Sequence, residues 1–174
     1  MLQYIVGSMV VLISAILVYA ATKPNTFRLQ RSAIINAPSE KIFPFITDFH
    51  QWMAWSPWEK LDPELKRSFS GASQGKGAQY QWEGNSNVGT GGMEILEAVP
   101  SMIKLKLDFL KPFEAHNFAE FTLEPRGEAT NVTWAMYGPQ PFMAKVMSLF
   151  MDCEKMVGPQ FETGLSNLKT IVEK

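Results

Sequence analysis

Cysteine is nearly absent: Cys153 is the only one in 174 residues. A single thiol makes no intrachain disulfide and no cysteine-based metal cluster. Histidine is scarce too. His50 and His116 stand far apart, neither has a partner at ligand spacing, and both read as surface or hydrogen-bonded side chains, so no metal site is expected. An excess of either charge is also missing. With 16 Lys and Arg against 17 Asp and Glu there is no basic stripe and no acidic tail, which argues against nucleic acid as a partner. No glycine-rich phosphate loop precedes a helix, because Gly75-Lys76-Gly77 joins two strand patterns and reads as hairpin chemistry. No cofactor is expected, and no repeat or low-complexity stretch is visible.

What is present begins with a run of twenty residues, Leu2 to Ala21, without a charged side chain. As a helix it spans about 30 Å, the thickness of a bilayer core. Three readings compete: a transmembrane anchor, a cleaved signal peptide and a buried core helix. The signal peptide needs a positive start, for which only the Met1 amino group is available, although Val18 and Ala20 would permit cleavage. A core helix would be shorter and one-sided. The anchor accommodates both length and uniform apolarity. Lys23, Arg28 and Arg31 follow the run and no Lys or Arg precedes it, which predicts a single-pass protein with its C-terminal part in the cytoplasm. The expected division is an anchor over 1–22, a linker over 23–25 and one domain over 26–174, a length that folds without staples.

Within the domain, Phe27, Leu29, Ala33 and Ile35 alternate with polar residues as a first strand, despite Arg31. Pro38 reads as the first residue of a helix running to about Phe49, which Pro44 should bend or split. An aromatic loop, Trp52 to Trp58, follows. Strand patterns then begin near Leu65, with a turn at Gly71, Gly75 and Gly77 and another over residues 85–92. Residues 101–109 alternate most clearly, with Ile103, Leu105, Leu107 and Phe109 on one face. Further strands are expected over 116–124 and 131–137. From Phe142 the period becomes helical, and Val146, Leu149, Cys153, Val157, Phe161, Leu165, Leu168 and Val172 form one stripe, kinked at Gly158-Pro159. On that stripe Cys153 reads as a small buried hydrophobe rather than a nucleophile. Asp48 is expected to bond backbone in the turn after the first helix, and Glu83 to face outward.

The order of short motifs resembles the SRPBCC (START-like, Bet v-type) superfamily, polyketide cyclase/dehydrase-like branch. The motifs are Ala37-Pro38 before a helix, Asp48 then Trp52 and Trp55, Trp55-Ser56-Pro57-Trp58, Gly75-Lys76-Gly77-Ala78 before Tyr80-Gln81-Trp82, and Val132-Thr133-Trp134 leading into a long helix. The resemblance covers residues 27–174. It implies an α+β helix-grip fold, a curved antiparallel sheet wrapped around a C-terminal helix with a cavity between them. Members bind lipids, sterols, polyketides and hormones; a few are cyclases or hydrolases, and one branch activates a chaperone. The apolar N-terminal run is an addition to that pattern.

The residues expected to line such a cavity are Trp55, Trp58, Tyr80, Trp82, Phe109, Trp134 and Phe142. Catalytic residues are not assignable, and the chain reads more readily as a binder than an enzyme. The first functional expectation is a membrane-anchored binding protein for a hydrophobic small molecule or lipid. The alternative is a polyketide cyclase/hydrolase-like enzyme, and a third is a protein partner met through the surface. A buried carboxylate, histidine or tyrosine cluster would favour the enzyme, and an entirely apolar cavity the binder.

Overall fold

Alternation along the strands decides which face of the sheet is buried. The computed structural model describes residues 2–174; Met1, the charge on which a signal-peptide reading turns, lies outside them. Seven strands form one antiparallel sheet: β1 (Thr26–Ile35), β2 (Lys66–Gly71), β3 (Ala78–Glu83), β4 (Thr90–Val99), β5 (Met102–Lys111), β6 (Ala115–Arg126) and β7 (Ala129–Pro139). Their spatial order is β1-β7-β6-β5-β4-β3-β2, so the only long connection is from β1 to β2 and every other strand neighbours the next in sequence. Register shifts in β4, at Thr90/Gly91 and Ile95/Glu97, interrupt its pairing with β5. Such bulges bend and twist a strand, which curls this half of the sheet. Ile103, Leu105, Leu107, Phe121, Leu123, Val132 and Trp134 all point to the buried face, as alternation requires.

The helices are α1 (Leu2–Thr22), α2 (Ser39–Thr47), the single turn α3 (Trp52–Trp55), α4 (Phe142–Met147) and α5 (Cys153–Val172), with 3-10 turns at Phe49–Gln51 and Pro57–Lys60. α5 grips the buried face through Phe161, Leu165, Leu168 and Val172. This is the α+β helix-grip architecture. Arg31, the break in β1's pattern, has a helical counterpart. Its guanidinium bridges Glu154 and Glu162 of α5, both at 2.6 Å, and lies where a Cβ on Gly158 would be.

Several local expectations are corrected. Pro38 caps α2 rather than opening it, and α2 continues through Pro44 as one helix. Pro44 frees only the carbonyl of Glu40, an exposed residue that water can satisfy. Gly91 and Gly92 lie inside β4, not in a turn, because the Trp82 ring occupies the space above Gly91. β6 runs on to Arg126, and the turn is made at Gly127, φ +65°. The C-terminal stripe is not one helix. It breaks over residues 148–152, and Asp152 caps α5 by accepting from the Lys155 N–H, whereas Gly158-Pro159 lies within a continuous α5.

α1 is the one helix among the described residues long and apolar enough to cross a membrane, and its side chains are exposed along nearly its whole length. It packs on α4 near its C-terminal end, where Ala20 is fully buried. The sheet and α5 bury their own core without it. A fragment starting at Asn25 is therefore expected to fold alone, with mixed α/β circular dichroism and cooperative unfolding; an unstructured product would move the domain boundary.

Candidate functional site

The first turns of α5, with Cys153, Met156, Val157 and Phe161, face the end of the sheet formed by Phe109, Ala115 and the 84–89 turn. The gap left there is a cavity of about 460 Å³. That volume lies in the usual range for sites that take one small organic ligand. A second depression, about 190 Å³ between Ser39, Glu40, Phe43 and Pro100, is a surface dent outside the grip.

Trp58, Tyr80, Trp82, Phe109 and Trp134, placed inward by the sequence reading, all line the cavity. Trp82 closes one wall: its indole N–H donates to the Val88 carbonyl at 3.3 Å and its face meets the edge of Phe109. Tyr80 stacks between Trp82 and Phe69. Trp58 packs edge-to-face with Trp134 and with Phe161. Trp55 and Phe142 are placed elsewhere. Trp55 is fully buried behind the wall, its N–H donated to the Phe45 carbonyl at 2.9 Å. The turn of α3 directs Trp52 and Trp55 into the core, and the next 3-10 turn brings Trp58 round to the cavity. Phe142 is on α4, which the break before α5 separates from the grip, and it is exposed. Cys153 is likewise no core residue. It is exposed at the cavity mouth, and partial burial together with Glu154 and Asp152 pushes its thiol up, so it is protonated at neutral pH and a poor nucleophile.

The walls are not wholly apolar. Glu59 and Tyr80 belong to the lining, and Arg67 sits behind them. Tyr80 donates to Glu59 Oε1 at 2.7 Å, Arg67 Nε donates to Oε2 at 2.6 Å, and Arg67 Nη1 donates to the Leu65 carbonyl at 2.9 Å. The Glu59 side chain is only 6% exposed. Burial, then the Glu59 hydrogen bond, pushes the Tyr80 hydroxyl far above its usual value, so it stays protonated. The sequence carries no local sign of this cluster. Glu59 sits in a short turn with no period, and Arg67 reaches it across eight residues. Ser56 and Asn117 add two more buried polar side chains to the lining. Trp134 Nε1 is, among the described residues, the one buried side-chain polar atom without a partner.

The other polar candidates are structural. Asp48 accepts from the His50 N–H at 2.9 Å, capping the turn at Phe49. His50 stacks on Phe69, and His116 pairs with Asp108 on the surface. Asp62 is buried and accepts from the N–H groups of Glu64 and Asn85, fixing the 84–89 turn. Among the described residues no group of His, Cys, Asp and Glu could hold a metal ion.

Solved structures of the same fold include a protein from Chromobacterium violaceum, 18% identical, TM-score 0.59, covering 87% of this chain and 99% of its own. Another, from Thermobifida fusca, is 19% identical, TM-score 0.61, covering 83% and 92%. The Aha1 dimer from Colwellia psychrerythraea is 14% identical, TM-score 0.58, covering 84% and 96%. No curated protein matches the chain in sequence. The family model described as polyketide cyclase / dehydrase and lipid transport matches residues 26–173. With all seven strands and α2 to α5 inside that match, the chain belongs to the polyketide cyclase / dehydrase and lipid transport family.

Proposed function

We propose that the protein is a membrane-anchored binding protein that holds a hydrophobic small molecule or lipid in the helix-grip cavity. The observation that carries this reading is the cavity itself, about 460 Å³ walled chiefly by Trp, Phe, Met and Leu side chains. Apolar walls favour apolar guests, and Ser56, Asn117 and the Glu59–Tyr80 pair supply the few polar groups that orient one. The apolar α1 supports an anchor. Lys23, Arg28 and Arg31 support a cytoplasmic domain even though the folded protein engages Arg28 with Glu120 and Arg31 with α5, because topology is decided on the unfolded chain.

One observation favours the alternative, a cyclase or hydrolase: the buried Glu59 carboxylate in the cavity wall. At rest it already carries Arg67 on one oxygen and Tyr80 on the other, which suits a structural anchor better than a free base.

Native mass spectrometry of the detergent-purified full chain is expected to show a co-purifying apolar ligand. Trp82→Ala and Trp58→Ala should each weaken its binding about tenfold or more, since a buried aromatic contact contributes roughly 1.5–3 kcal/mol. Lys104→Ala, on the outer face over Phe118, should leave binding unchanged. Equal effects from all three would remove the cavity as the binding site.

A further inference from the structure

Strand register collects several features at one end of the sheet. Thr26 pairs with Pro139 and Phe109 with Ala115, so the start of β1, the β5–β6 turn and the junction of β7 with α4 lie together. The turns at Ser101 and Gly127 lie at the opposite end. α1 stops at Thr22 and β1 starts at Thr26. The three residues between them span at most about 10 Å, so the domain cannot stand away from the end of α1. Asn25 is also fastened to the α4 region. The Gln140 N–H donates to its carbonyl and the buried Lys145 ammonium to its Oδ1, both at 2.7 Å.

Around α4 large apolar side chains point outward: Phe142, Met143, Phe150 and Met151, joined across the cavity mouth by Phe113 and Met156. The last two also line the cavity, so the exposed patch and the cavity form one apolar surface. Soluble proteins seldom leave such a patch uncovered. The charges beside it are mixed, Asp152, Glu154 and Glu114 against Lys111 and Lys155, so attraction to anionic lipid is not what would seat it.

We propose that this face, α4 with residues 148–152 and the β5–β6 turn, lies in the interface of the same bilayer that α1 crosses. The cavity mouth then opens into the lipid, and an apolar ligand passes between bilayer and cavity without crossing water. The inference rests on α1 being a membrane span, and it adds a second, interfacial contact of the kind amphipathic surface helices make.

The test uses the full chain in phosphatidylcholine vesicles containing a photoactivatable diazirine-acyl phosphatidylcholine, with adducts mapped by mass spectrometry. Adducts are expected on α1 and on residues 142–151, and none at the Ser101 or Gly127 turns. Met143→Asp with Phe150→Asp, both exposed positions, should abolish the adducts on 142–151 and retain those on α1. Adducts on α1 with none on 142–151 would overturn the interfacial face and leave the anchor standing. No adducts on α1 would overturn both. Cross-links between two copies through 142–151 would assign the patch to a dimer and overturn the proposal as well.

Discussion

Trp134→Ala is expected to lower the free energy of unfolding by about 3–5 kcal/mol, the range for truncating a buried aromatic. Trp134 is where three parts of the fold meet. Its ring stacks on Phe161 of α5 at 4.1 Å and 4°, and on Phe121 of β6 at 5.0 Å and 24°. The edges of Trp52, Trp55 and Trp58 close around it. Gly164 of α5 lies beneath, where a Cβ would come within 2.8 Å of the ring. Removing the indole leaves a space bounded by a sheet, a helix and a short turn, none of which can move in alone, and joins it to the cavity that Trp134 already lines. Since whole domains are stable by only about 5–15 kcal/mol, this loss is a large fraction. Trp134→Phe should cost much less. It keeps an aromatic ring in the stack and removes an N–H that has no partner. Chemical denaturation of both variants checks this. A wild-type midpoint for the alanine variant would mean that the stack contributes nothing.

Much of this was legible because alternation is a local signal. Ile103, Leu105 and Leu107 announce their face within one strand, and pairing only has to bring like faces together. What local pattern could not carry was the phase across a break. Phe142 and Phe161 fit one helical stripe on paper, but the helix breaks over residues 148–152, which leaves Phe142 exposed on a separate short helix and Phe161 in the core. Cys153 keeps the phase of α5 but stands in its first turn, at the cavity mouth. Trp55 and Trp58 look equivalent in sequence, and a change from α to 3-10 turn sends one into the core and the other into the cavity. Gly91 and Gly92 read as turn residues because the reason for Gly91, the ring of Trp82, comes from a neighbouring strand. Glu59 is the extreme case. Both its partners are brought by β2 and β3, and nothing near it in sequence marks it as buried.

Glu59→Ala should cost about 2–3 kcal/mol, below most of the range for breaking a fully buried ion pair from one side, because water can reach part of the stranded charge. The loss would leave the Arg67 guanidinium, whose side chain is 25% exposed, partly buried without its carboxylate, and the Tyr80 hydroxyl without its acceptor. Glu59→Gln keeps the shape and one acceptor oxygen, so its cost should be smaller. The network also predicts a pH dependence. Tyr80 is raised by burial first and by Glu59 second. Its contribution is therefore complete below about pH 10, where tyrosine is protonated in both folded and unfolded chains. Above that, the unfolded phenol ionises while the folded one does not, so stability falls as pH rises towards the raised value. Tyr80→Phe removes this term, and its unfolding midpoint should decline less steeply above pH 10 than that of the wild type; equal slopes would show that Tyr80 is not held protonated. The same substitutions separate the two functional readings. In a binding protein, Glu59→Gln should retain the co-purifying ligand, because the apolar walls are intact. In an enzyme using Glu59 as acid or base, the variant would bind ligand yet lose turnover by a factor of about 10²–10⁴. The outcome expected here is that Glu59→Gln retains the ligand; a variant that binds but has lost a turnover the wild type shows would favour the enzyme.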